Sequence, residues 1–247
     1  MDMVNIHDTI IRSICKYAYI PVRREPSEAS EMETQILYGE SFTIIEEINK
    51  WKRIRIDYDG YEGWIDAKLH TISDEKLIAD WTDTPKNIVN TPFAIIHPKD
   101  INHQLLITAG SETTEAINTQ TTNIISTARQ FLGAPYLWGG RTFFGIDCSG
   151  FTQIVFKIHG IYLPRNASQQ INFGKTVEFI KDTKENDLAF FGNNEGKITH
   201  VGICIDNQNI IHASGCVRID KLDHHGIYNE ERKCYTHKLI VIKRILS

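Results

Sequence analysis

A chain of 247 residues, 41% hydrophobic and 23% charged, is an ordinary globular mixture long enough for two small domains. Its formal net charge of -4 provides no broad basic field, so nucleic acid is not an expected partner. No stretch approaches the roughly 18 apolar residues that span a bilayer, so a membrane is not expected either.

Met1 to Ile14 mixes Asp2, His7, Asp8 and Arg12 with apolar residues and lacks both an apolar signal run and a small-residue cleavage site. The expected location is cytoplasmic, or periplasmic if a leader has been removed. The cysteines (Cys15, Cys148, Cys204, Cys216 and Cys234) contain no CxxC pair. That argues against a disulfide framework or a zinc ribbon and in favour of free thiols.

From Ile14 to Leu69 short strands alternate with turns. Gln35-Ile36-Leu37-Tyr38, Phe42-Thr43-Ile44-Ile45 and Trp51-Lys52-Arg53-Ile54-Arg55-Ile56 are rich in β-branched and aromatic residues, and the last alternates apolar with charged. Asp59-Gly60 supplies a tight turn before Tyr61-Glu62-Gly63-Trp64-Ile65. Several short strands with close turns predict a small barrel. Val22-Arg23 through Glu25-Pro26, Thr34 to Glu40, and Gly63-Trp64-Ile65 resemble a bacterial SH3-type module. Residues 71–120 read as a linker with a small β unit: a helical turn at Lys76 to Trp81, strands at Ala94-Ile95-Ile96 and Leu105-Leu106-Ile107, and a connector from Ser111 to Thr122.

Beyond Thr121 the helices come first. Ile124, Ile125, Ala128, Phe131 and Leu132 keep helical spacing until Gly133 and Pro135. Leu188 to Phe191, Val201 to Ile205, Ile210 to Ala213 and Leu239 to Ile245 then read as strands, giving an α+β layout.

Between the two parts lies Gly145-Ile146-Asp147-Cys148-Ser149-Gly150. Phe151, Ile154, Val155 and Ile158 form one apolar helical face, with Asp147 suited as N-cap and Gly160 as C′ residue. Cys148 therefore falls in the first turn of a helix, where unsatisfied N–H groups favour a thiolate and can hold an oxyanion. The competing reading of Cys148 is a small buried hydrophobe.

His200 precedes Val201-Gly202-Ile203-Cys204-Ile205, and His212 lies on the returning strand. The two become diagonal cross-strand neighbours only if their hairpin has an odd-length loop or a β-bulge. A plain two-residue turn at Asn207-Gln208 would pair residue 203 with 212 and put the histidines on opposite faces. In the catalytic reading His200 takes the Cys148 proton and His212 holds its tautomer. Zinc bound by Cys148, His200 and His212 is the rival reading, and no metal is the expectation. His237 and the other histidines read as structural, with His224-His225 a surface pair.

Tyr136-Leu137-Trp138-Gly139-Gly140, Asp147 to Phe151, Thr199-His200-Val201-Gly202-Ile203 and Ile211-His212-Ala213-Ser214-Gly215 together resemble the NlpC-type cell-wall peptidases, a papain-like α+β family. The implied domains are an SH3-like β-barrel over 1–70, a linker over 71–120 and a cysteine peptidase over 121–247. With the SH3-type module in front, the chain is similar to γ-D-glutamyl-L-diamino acid endopeptidases. The resemblance implies a murein peptide substrate with a free N-terminal L-Ala, cut after D-Glu through an acyl-enzyme, without a cofactor. It makes Cys148, His200 and His212 a triad and Tyr136 an oxyanion donor. Asp147, Tyr61 and Glu31 would meet the substrate amine, and Ser149 and Ser168 the peptide. Where the family usually has Pro-Gly before Asp187-Leu188, this chain has Glu185-Asn186, which leaves the turn geometry open. An amidase or acyltransferase on the same scaffold, or a noncatalytic wall-binding protein, are the alternatives. Nothing in the sequence speaks to oligomeric state.

Overall fold

Alternation along Trp51 to Ile56 requires one face of the strand to be buried and the other to meet solvent. In the computed structural model Ile54 and Ile56 are buried while Arg55 is exposed. The structure describes residues 11–70, 75–99, 102–118 and 122–246, so the leader reading lies, as far as residue 10, outside the described residues. The chain divides into two units, residues 1–89 with 93–118, and residues 90–92 with 119–247.

The first unit is built on β1 (Ile11–Ile14), β2 (Tyr19–Arg23), β3 (Met32–Leu37), β4 (Ser41–Ile48), β5 (Trp51–Ile56) and β6 (Glu62–Asp66). They form one antiparallel sheet in the order β1-β4-β5-β6-β2-β3. The sheet wraps a single core that includes Ile20, Val22, Ile36, Phe42, Ile54, Ile56 and Ile65. The segment expected as a linker carries more structure than its sequence announced. It holds α1 (Glu75–Asp83), the pair β7 (Asn87–Ile88) and β10 (Glu112–Thr113), and the hairpin β8 (Phe93–Ile96) and β9 (Leu105–Thr108). These pieces belong with the barrel. Trp81 Nε1 donates to Gly39 O at 3.0 Å, Glu112 N donates to Tyr38 O at 2.9 Å, and Val89, Ile96 and Ile107 make a small core against Tyr38.

The second unit opens with α2 (Ile124–Arg129), whose N-cap Asn123 and Ser126 form a reciprocal capping box. This helix stops short of the Leu132 expected from spacing. Phe131 N and Leu132 N bond three residues back, to Ala128 O and Arg129 O, and this tightened turn leads into Gly133 at φ +84°. The short pair β11 (Arg141–Thr142) and β12 (Gly145–Ile146) precedes α3 (Cys148–Ile158) and α4 (Ala167–Gln170). Then come β13 (Lys175–Val177), β14 (Leu188–Gly192), β15 (Ile198–Cys204), β16 (Asn209–Ser214), β17 (Cys216–Leu222), β18 (Gly226–Asn229) and β19 (Cys234–Arg244).

These strands run in the order β13-β19-β14-β15-β16-β17-β18, and β19 also pairs with β18, so six of them close into a ring. The ring was not anticipated from the sequence, because β17 and β18 were not read as strands. Strand register places Ala189, Phe191, His200, Cys204, Ile210, His212 and Asp220 on one face. Several of them pack with Leu222, Ile227 and Ile242 into a core. His200 and His212 thus grow out of the same face that folds this unit. Among the described residues no helix is long and apolar enough to cross a membrane.

Candidate active site

Asp147 begins α3 in extended backbone, and its carboxylate accepts from Gly150 N at 2.7 Å, the bond expected of an N-cap. Gly150 has to be glycine for packing reasons, since a Cβ there would lie 2.3 Å from Gly140 O. Cys148 occupies the first helical position and is buried. Burial, followed by the neighbouring Asp147 carboxylate, pushes its thiol up to about 12, while the backbone N–H groups of Val201 and Ser149 and the Arg165 charge act the other way. The helix start alone therefore does not make a resting thiolate. The sulfur lies beside the amide that follows His200, and both partners are neutral at rest.

The hairpin carrying the two histidines has the geometry their pairing requires. Gly202 pairs with His212, Ile203 with Ile211, and Cys204 with Ile210, and Ile205 N donates to Asn209 O, leaving the odd-length loop Asp206-Asn207-Gln208. His200 and His212 are then diagonal neighbours on one face, and His200 Nε2 lies 2.8 Å from His212 Nδ1. Gly202 clears the space between them: a Cβ there would come within 2.8 Å of both His212 Cβ and Ile210 Cδ1.

Past His212 the chain of contacts continues. His212 Nε2 meets Asp220 Oδ2 at 3.0 Å, and Asp220 is in turn gripped by Arg218 at 2.8 and 3.0 Å. Burial opposes the charge on Asp220, but hydrogen bonds from His212 and Arg218 prevail and hold its carboxyl below the usual value. An ionised carboxylate only accepts, so it fixes the tautomers in sequence. His212 donates from Nε2 and accepts at Nδ1 from His200 Nε2–H, which leaves the His200 Nδ1 lone pair free to take a proton. Burial, then the charges of His212 and His237, hold His200 well below its ordinary pKa, which favours the neutral imidazole.

Tyr136 is half-buried and borders a cavity of about 300 Å³ with Thr199, His200, Ser214 and His237. Burial, then the charges of Cys148 and Asp147, raise its phenol, so it stays a hydrogen-bond donor. Ser149 Oγ donates to Asp147 Oδ1 at 3.2 Å and accepts from Arg165 Nη1 at 3.0 Å. Asp147 is more heavily engaged than its sequence suggested, because Arg165 holds both of its oxygens and Gly139 N donates to it as well. Ser168 stands exposed on α4. Two residues later, Gln170 ties α4 to α3 by donating to Ser149 O and Pro164 O.

Tyr61 and Glu31 lie in the barrel unit. Glu31 is ion-paired to Arg24 at 2.7 Å, and Tyr61 is partly buried against the barrel core. At the departure Glu185-Asn186, Asn186 takes φ +72° and its N–H donates to Cys204 O, so asparagine makes the left-handed turn.

Three site residues escaped the sequence reading. Arg165 is a lone cation directly after the apolar run Ile161-Tyr162-Leu163-Pro164, and that isolation was an available signal. Asp220 sits in Val217-Arg218-Ile219-Asp220, whose alternation marks a strand. His237 lies in the polar half of β19, where no apolar pattern points to it. Its ring stacks on His200 with centroids 4.1 Å apart and planes 26° from parallel.

Residues 133–236 match the NlpC/P60 family, and residues 22–68 match the bacterial dipeptidyl-peptidase Sh3 domain. A Bacillus subtilis protein named gamma-D-glutamyl-L-lysine dipeptidyl-peptidase is 30% identical over 214 residues, covering 74% of this chain and 72% of the relative. The chain belongs to the NlpC/P60 family. A Bacillus cereus protein of the same name is 29% identical over 231 residues, covering 76% of this chain and 68% of the relative. The crystal structure of an NlpC/P60 family protein from Bacillus cereus shares the fold, with a TM-score of 0.81 at 22% identity over 96% of this chain and 100% of that one. The papain-like fold behind an SH3-like barrel therefore stands, and the protein is a cysteine peptidase.

Proposed function

We propose that this NlpC/P60 peptidase hydrolyses the bond between γ-D-Glu and an L-diamino acid in murein peptides with a free N-terminal L-Ala. The observation that carries the catalytic part is the continuous chain His200–His212–Asp220. It aims a neutral imidazole from the strand whose next amide touches the Cys148 sulfur. Cys148 attacks the γ-carbonyl as its proton passes to His200 Nδ1, so the pair becomes charged only during the reaction. The amides at the start of α3 and the Tyr136 phenol stabilise the oxyanion. His200 then gives the proton to the leaving amine, and water repeats the sequence on the thioester. Asp220 acts as a positioning residue through His212.

The substrate assignment is supported by the name shared by the two Bacillus relatives and by the dipeptidyl-peptidase type of the Sh3 match. On the catalytic unit Asp147 is the candidate partner of the substrate ammonium, and on the barrel unit Tyr61 and Glu31 are the residues to vary in testing amine recognition. Ser149 and Ser168 are the candidate peptide contacts. A site that hydrogen-bonds a free amine rejects a capped one strongly. Acting on released peptides in the cytoplasm is the setting this reading implies.

The test compares L-Ala-γ-D-Glu-diaminopimelate and its L-Lys counterpart with the same peptides N-capped, using the protein and Cys148→Ala. Release of L-Ala-D-Glu from free peptides only, absent in the variant, is the expected result. Equal cleavage of capped peptides would keep the nucleophile and discard the amine pocket. No cleavage of either peptide would sink the substrate assignment.

A further inference from the structure

His200, His212 and His237 each bring one ring nitrogen within 4.8 Å of the others, the one such group of three or more ligand residues among the described residues. Their ring centroids are 5.1, 5.7 and 4.1 Å apart. His200 and His212 are buried, and His200 and His237 both border the cavity through which a small ion would enter. The general-base mechanism uses two of these rings and leaves His237 without a role.

We propose that the three histidines form a binding site for a divalent first-row transition-metal ion, with Zn2+ the representative, and that the bound ion switches the peptidase off. The binding half stands on geometry alone, while the inhibitory half rests on the function proposed above.

Imidazole nitrogen is the ligand such ions favour, and three of them with one open position is an established coordination set. Tetrahedral coordination at about 2.0–2.1 Å requires ligand nitrogens about 3.3 Å apart. His200 Nε2 and His212 Nδ1, now 2.8 Å apart, would part by about half an ångström, and His237 would close in from within 4.8 Å. The supporting shell is already in place. Asp220 accepts from His212 Nε2 and so presents the Nδ1 lone pair inward, the carboxylate–histidine arrangement typical of metal ligands. Thr236 Oγ1 sits 2.9 Å from His237 Nδ1, which leaves Nε2 as the nitrogen offered to an ion. Inhibition follows from the atoms used. The ion takes the Nε2 lone pair of His200, so the proton that sat on Nε2 moves to Nδ1, and His200 no longer has a lone pair there to take the Cys148 proton.

The test begins with Cys148→Ala in the full chain, so that no catalytic thiol can ligate. Titration with Co2+, read by its visible spectrum and by calorimetry, should show one ion per chain, displaced by Zn2+. Adding His237→Phe, which keeps a stacked ring, or His237→Gln should abolish that site, and Asp220→Asn should weaken it about 10–100-fold. Adding His224→Ala with His225→Ala should leave it intact. In the Cys148-containing protein Zn2+ should inhibit peptide cleavage and EDTA should restore it. His237→Phe should need at least tenfold more Zn2+ for half-inhibition relative to its own metal-free rate.

Absence of binding in Cys148→Ala, or binding lost with His224 and His225 but kept in both His237 variants, would overturn the site. Binding without inhibition in an active enzyme would overturn the regulatory half. If the ion binds but the protein cleaves none of the peptides, the site stands and the substrate reading falls.

Discussion

On the barrel unit the ion pairs stand at the surface, where Arg24 meets Glu31 and Glu33, Arg55 meets Glu62, and Lys50 meets Glu28; the polar residues buried there, among them Ser13, Thr34, Gln35 and Glu40, include no ion pair of this set. In the catalytic unit charged groups themselves go inside, as Arg165 with Asp147 and Asp220 with His212. Asp147, Arg165, Ser149, Gln170, His200, His212 and Asp220 are all buried, and each is hydrogen-bonded to another polar group. The first arrangement contributes little stability per pair but tolerates change, because solvent screens each charge and replaces any lost partner. The second makes every member depend on its neighbours, since a buried group left alone carries the full desolvation penalty. What the second arrangement gains is orientation. Asp147 caps the helix that begins at Cys148 while held by Arg165, and Asp220 sets the tautomers of two histidines.

The sharpest way to break this comparison is to remove one cation from each unit. Arg165→Met strands the Asp147 carboxylate and should cost about 3–5 kcal/mol in urea unfolding, with loss of peptidase activity. Arg24→Met leaves the exposed Glu31 and the partly exposed Glu33 without this partner and should leave the unfolding midpoint nearly unchanged. Equal costs would mean that burial does not decide the worth of these pairs.

A smaller effect separates two glycines. Gly202→Ala pushes a methyl group to 2.8 Å from His212 Cβ, so about 1–3 kcal/mol of stability should go, with kcat falling more than KM as His212 leaves its place. Gly60→Ala on the barrel meets nothing within 4 Å and is strained only by its φ of +71°, costing about 1–2 kcal/mol and leaving kcat alone. Similar kcat values for the two variants would show that the His200–His212 contact does not need the clearance Gly202 provides.

The same contrast explains what could be read in advance. Four of the six barrel strands, β3 to β6, and α3 were legible because apolar periodicity, turn residues and an N-cap are local signals; Ile54, Ile56, Asp147 and Gly160 each announce their positions. The odd-length hairpin loop was legible too, since only that register puts two histidines 12 residues apart on one face. Arg165 and Asp220 were not, because their significance comes from partners 18 and 8 residues away that no local pattern names. His237 depends on ring closure by β19, a long-range pairing whose first half, Cys234 to Lys238, is polar. Burial also reversed one local inference, for the start of a helix favours a thiolate and the buried setting of Cys148 opposes it.

That reversal gives the last and smallest difference between the units. Burial raises the thiols of Cys15 in the barrel core and of Cys148 and Cys204 in the catalytic unit, all above the ordinary 9.0. A raised folded-state pKa stabilises the fold fully below the unfolded value of about 9, and that contribution is lost as pH rises toward the folded value. Each pH unit above 9 should therefore cost about 1.4 kcal/mol per thiol that the fold keeps protonated. Denaturant unfolding between pH 8 and 10.5 should show stability falling with pH, and Cys15→Ala should remove one thiol's share of that slope from the barrel. Cys148→Ala should remove one of two shares from the catalytic unit. A slope unchanged in both variants would mean that these thiols ionise as freely in the fold as out of it. Cys148 could then no longer be described as resting neutral beside a neutral His200.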